Sequence, residues 1–145
     1  MKFNEMVVQQ RALEVRKKIV ELSQRTRSGH VGPSLSVTDI LTVLYESIVQ
    51  GELSDENRDR VILSKGHACT PLYVLLNQNG WLSDARLESF ASNGCSLGHH
   101  PHYEPEIGLE ANTGSLGHGL PIGCGLAYSA KLMKISAKTY VLLSD

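Results

Sequence analysis

The sequence predicts an α/β fold in which a mainly parallel sheet is flanked by helices. Two short apolar runs, residues 60–64 and 139–143, alternate with longer stretches of helical periodicity. Strands alternating with helices form parallel sheets, because each crossover returns the chain to the same end. The 145 residues are 41% hydrophobic and 20% charged, the balance of a soluble globular chain of one domain. Such a chain can bury about two-thirds of its unfolded surface.

The elements follow in order. Residues 4–27 read as a helix capped by Asn4, with Met6, Leu13, Ile19, Val20 and Leu22 near helical spacing and Gly29 as its stop. Its basic residues, Arg11, Arg16, Lys17, Lys18, Arg25 and Arg27, read as a solvated face. A second helix is expected from Ser36, where Ser36-Val37-Thr38-Asp39 resembles a capping box, to Gly51. Residues 52–60 are polar and read as a surface connection. The first strand, 60–64, leads through Gly66-His67 to a helix with Thr70 as cap and Pro71 at its first position, running to Gly80. Ser83 caps a shorter helix to Phe90. Residues 93–118 show no period and hold five glycines and four of the six histidines; a connection of this length in a compact domain is usually functional. A helix over 120–134 precedes the second strand. Two strands are few for a doubly wound sheet, so the domain is expected to be incomplete at the C-terminus.

Charge and cysteine content exclude several classes. The net charge of -1 offers no field for nucleic acid or an anionic membrane surface. No apolar run approaches the ~20 residues of a membrane span, and the first ten residues contain no signal-peptide core. Cys69, Cys95 and Cys124 are odd in number and widely spaced, which suits a reducing, cytoplasmic compartment.

The chemistry is expected in the connections. His30, His67, His99 and His118 each follow a glycine. Glycine lets a backbone turn sharply or approach a ligand, and an imidazole beside it can exchange protons near neutral pH. His99-His100-Pro101-His102 offers close imidazoles, but the spacing fits no standard zinc pattern. Asp145 follows a strand end, where ligands bind in open α/β sheets and a carboxylate can hold Mg²⁺. Gly114-Ser115-Leu116-Gly117-His118-Gly119 is a glycine-rich turn that is neither a P-loop nor a dinucleotide fingerprint.

Taken together, five stretches resemble the N-terminal part of transketolase. They are Ser28-Gly29-His30 with Gly32-Pro33, the run from Arg58 to His67, Leu97-Gly98-His99-His100-Pro101, the run from Asn112 to Gly117, and Ser144-Asp145. The form is similar to split bacterial transketolases, in which one polypeptide carries the diphosphate-binding domain and a second the pyrimidine-binding domain. The resemblance implies the thiamine diphosphate-binding (PP) fold, with residues 1–145 as the N-terminal part of one such domain. It implies thiamine diphosphate and a divalent cation, usually Mg²⁺, and transfer of a two-carbon ketol unit between sugar phosphates. By position, His30, His67 and His100 would line the substrate channel as catalytic residues, with His67 also near the diphosphate. Gly114, Ser115 and Leu116 would contact the aminopyrimidine ring, and Asp145 would bridge cation and diphosphate. The implied partner is a C-terminal subunit with the pyrimidine-binding domain, in a homodimer or heterotetramer.

The sequence departs from the family's pattern at Ser144, where glycine is usual, and at His118, where glutamine is common. His99 and His100 compete for one role, and Pro101 favours His100. A 1-deoxyxylulose 5-phosphate synthase usually follows its Gly-His with a Gln-Ala-Tyr-Pro-like stretch, whereas Ala68-Cys69-Thr70-Pro71 stands here. A non-catalytic module needing a second subunit is the reading of a different class, and the retained histidines argue against it.

Overall fold

The computed structural model describes residues 4–144, so Asp145 lies outside the described residues. Helix α1 spans Glu5–Thr26, and the Asn4 side chain accepts the Val7 amide at 3.3 Å. Val8, Ala12, Val15, Ile19 and Leu22 form its buried stripe, recurring every three or four residues. Of the apolar residues expected there, Ile19 and Leu22 are buried, but Met6, Leu13 and Val20 are exposed. The helix ends two residues before Gly29. Arg27 adopts a left-handed conformation, φ 53°, and the amides of Arg27 and Ser28 return to the Ser23 carbonyl.

Helix α2 spans Val31–Val43 and so begins five residues before Ser36. Pro33 falls in the first turn, where a missing N–H does no harm. Ser36 does not cap; its hydroxyl donates to the Pro33 carbonyl at 2.8 Å. Ser34, Thr38 and Thr42 each donate to the carbonyl four residues back, which lets a buried face carry hydroxyls. A π turn, Leu44–Ile48, completes the segment.

Strand β1, Arg60–Leu63, pairs in parallel with β2, Thr139–Leu142, in one-to-one register from Arg60 against Thr139 to Leu63 against Leu142. After β1 a 3₁₀ turn, Gly66–Ala68, leads into α3, Cys69–Gln78. This helix starts one residue before Thr70 and has no side-chain cap. Ser83 does cap α4, Asp84–Glu88, accepting the Arg86 amide. The 93–118 segment contains one 3₁₀ turn, Pro105–Ile107, and one bridge of Glu104 to Leu109. Helix α5, Gly119–Leu132, then crosses back to β2.

The core lies between α1, α2, α3 and β1, with Val15, Ile19, Leu41, Leu63, Tyr73 and Leu75 among its buried members. The 52–60 run is not wholly a surface connection. Arg58 and Asp59 are 4% and 6% exposed. Asp59 accepts the amides of Gln50 and Lys138, joining the starts of both strands. Arg58 forms a buried ion pair with Glu110, and Arg60 approaches the same carboxylate. Polar residues are buried here because each meets an opposite charge or a backbone group.

Helix α5 crosses the sheet closely through Gly123, where an added β-carbon would overlap Val141 Cγ2; at Gly125 nothing lies within 4 Å. Gly123→Ala is therefore expected to lower stability by about 1–3 kcal/mol, and Gly125→Ala to raise it by roughly 0.5–1 kcal/mol. Urea unfolding of both variants checks the opposite signs. In the same assay Glu110→Ala, which strands a buried guanidinium, should lower stability by about 3–5 kcal/mol.

Candidate functional site

The carboxyl ends of the two strands form the rim where the site residues gather. His67 sits in the 3₁₀ turn after β1. His30 directly precedes α2, and its carbonyl accepts both the amide and the hydroxyl of Ser34. His99 and His100 come from the long 93–118 segment. The His30 ring is the hub: its centroid lies 5.4 Å from that of His67, 6.2 Å from His100 and 6.4 Å from His99. Three segments far apart in sequence thus bring four imidazoles together. His118 has no ring contact with this group, so not every Gly-His pair joins it.

Two contacts hold the long segment in place. A β-carbon on Gly66 would lie 2.5 Å from the Thr113 carbonyl oxygen, so only glycine permits this approach. The Thr113 amide donates to the Pro101 carbonyl at 3.2 Å. Next in the chain, Gly114 faces His100; a β-carbon there would stand 3.3 Å from His100 Cδ2. Farther back, the Tyr73 hydroxyl donates to the Gly98 carbonyl at 3.1 Å, and the Cys69 thiol approaches the same oxygen. His99 packs edge-on against Phe90, whose ring in turn meets Tyr73. Of the competing pair, then, His99 packs back on an aromatic wall and His100 faces the glycine turn.

The electrostatics follow from this crowding. Burial first, and then the neighbouring charges of His30, His67, His99 and His102, hold the His100 imidazole below the usual histidine value. Cys69 is buried, and desolvation pushes its thiol up to about 12, so it is not a thiolate nucleophile. Lys65 brings a cation to the rim, its ammonium 3.5 Å from the hydroxyls of Ser36 and Ser144.

Gly114, Ser115 and Leu116 are exposed beside the imidazoles, with Leu116 at 56%. The missing side chain at Gly114 keeps a slot open between the turn and His100. That slot, with Lys65 and the imidazoles around it, suits a flat ring bearing an anionic tail. Among the described residues no three His, Cys, Asp or Glu side chains are grouped to hold a metal ion. Asp145, expected to be a ligand of both cation and diphosphate, lies outside the described residues.

Sequence reasoning missed Thr113, Tyr73, Phe90, Lys65 and the Arg58–Glu110 pair. Glu110 left one signal, a lone carboxylate between Leu109 and Ala111 in a segment otherwise rich in glycine and histidine.

Comparison with known proteins adds a family to this geometry. The family described as transketolase, thiamine diphosphate binding domain, matches residues 5–141. One of the two chains of the apulose-4-phosphate transketolase of Phocaeicola vulgatus is 41% identical over 133 residues, 90% of this chain and 47% of that protein. A 6-deoxy-6-sulfo-D-fructose transketolase subunit of a Clostridium species is 30% identical over 141 residues, 95% of this chain and 51% of that protein. The crystal structure of Campylobacter jejuni transketolase superposes with a TM-score of 0.87 at 31% identity, covering 99% of this chain and 24% of that one. The chain spans about half the length of the split-subunit relatives it matches. By this match and by its α/β architecture, the chain belongs to the transketolase family, within its thiamine diphosphate-binding domain.

Proposed function

We propose that this chain serves the transfer of a two-carbon ketol unit from a ketose to an aldose, as the N-terminal part of the diphosphate-binding domain of a split transketolase. The observation that carries the reading is the convergence of His30, His67 and His100 beside Gly114 at the strand ends. The partner would be a C-terminal subunit with the pyrimidine-binding domain, in a homodimer or heterotetramer. Nucleic acid and membrane have no part in the reading, and a reducing cytoplasm suits three free cysteines. The relatives' names suggest donors with an anionic group, phosphate as in apulose 4-phosphate or sulfonate as in a sulfofructose.

The reaction needs a carbanion next to oxygen, which no side chain stabilises; thiamine diphosphate, when bound, supplies the electron sink. The protein's share is binding, orientation and proton movement. Gly114, Ser115 and Leu116 would meet the aminopyrimidine through exposed backbone. Asp145, with Mg²⁺ or another divalent cation, would hold the diphosphate, whose charge cannot be buried unpaired. His67 would also lie near it, with Lys65 at the same rim. At His30, His67 and His100 the ring nitrogens would accept and return protons of the sugar's hydroxyl and carbonyl oxygens, worth about 10²–10⁴-fold in rate. A depressed His100 keeps an imidazole available as acceptor near neutral pH.

In the enzyme assembled with its partner subunit, His67→Ala should lower kcat by about 10²–10⁴-fold while leaving the thermal midpoint unchanged. A lost fold with an unchanged rate constant in the remaining folded enzyme would make His67 structural instead. A pH test addresses His100. Its folded-state value is depressed, so below the ordinary value of about 6.5 the unfolded chain binds the proton first, and stability falls as pH falls. His100→Gln should therefore lose less stability than the natural chain between pH 7 and pH 5, read from urea midpoints at each pH.

A further inference from the structure

We propose that a small closed cavity beneath the glycine turn binds one structural water molecule, held by Glu110 Oε1 and Thr113 Oγ1. The cavity measures about 10 Å³ and lies between β1 and the long segment, with Val61, Leu63, Leu72 and Pro101 in its walls. That volume is about one water probe and no more, at the lower limit for an internal water. Glu110 and Thr113 both line it. They also carry the two buried side-chain oxygens that find no hydrogen-bond partner in the protein among the described residues. Glu110 Oε1 does face Arg58 Nη1 as an ion pair, but this leaves further lone pairs unmet. The residues themselves are 8% and 7% exposed, so bulk solvent does not serve them.

Water is the ligand that this chemistry selects. The carboxylate only accepts, so its partner must donate; the threonine hydroxyl can donate or accept; the space excludes anything larger. A water donating to Glu110 and bonded to the Thr113 hydroxyl satisfies both groups. Through it the buried Arg58–Glu110 pair would be tied to the residue that precedes Gly114. The turn beside His100 would then be anchored from below as well as by the Gly66 approach from the side.

The test uses the 145-residue chain. Water-to-protein cross-relaxation in NMR should show a long-lived water signal at the Ala111 and Thr113 amides. Thr113→Val keeps the volume and removes the hydroxyl; it should abolish the signal and lower the thermal midpoint by about 4 °C, whereas Thr113→Ser should keep the signal. The absence of a long-lived water in the natural chain would overturn the proposal. A midpoint raised by Thr113→Val would overturn it as well, since it would mean that the hydroxyl is an unpaired burden in a dry cavity.

Discussion

The site depends on one close approach, the Thr113 backbone against Gly66. The turn after β1 carries His67, and the long segment carries His100 and Gly114. These two pieces of chain are nearly fifty residues apart in sequence, and they meet only because position 66 has no side chain. Once they meet, His100 and His67 both come within reach of His30 at the start of α2. The buried Arg58–Glu110 pair fixes the same segment from behind, and the Tyr73 hydroxyl holds it at Gly98. A loop of this length would otherwise be free to move.

The electrostatics explain why imidazole suits such a crowded rim. Several fixed cations at this spacing would repel one another strongly. Imidazoles can shed their charge, and the depression of His100 is a sign that they do so together. The arrangement thus offers proton acceptors near neutral pH, with Lys65 as a cation beside them for an anionic ligand. In open α/β sheets ligands bind beyond the carboxyl ends of strands, and this rim is formed there by residues following β1 and β2.

Much of this was legible in the sequence, and what was not has physical reasons. Both strands, the Asn4 and Ser83 caps and the alternation of elements followed from local rules. The start of α2 did not: a capping-box-like pattern at Ser36 lost to a helix start at Val31 that Pro33 permits. The 52–60 run looked solvated because its burial depends on Glu110 and Lys138, partners fifty and more residues away. The same distance hid Tyr73, Phe90 and Thr113 from any reading of the site. The Gly-His pairs marked three of the four clustered imidazoles, whereas His118 stands apart from the group. The choice between His99 and His100 required the Phe90 wall and the Gly114 turn to be seen.

The central claim is that steric permission at residue 66 assembles the histidine group. The most direct measurement is histidine ring NMR, together with amide hydrogen exchange, on a Gly66→Ala chain. The account predicts that Thr113 and its neighbours lose exchange protection and that the His30, His67 and His100 ring resonances shift toward independent, ordinary titration. A Gly66→Ala chain with unchanged ring resonances and full protection at Thr113 would contradict it.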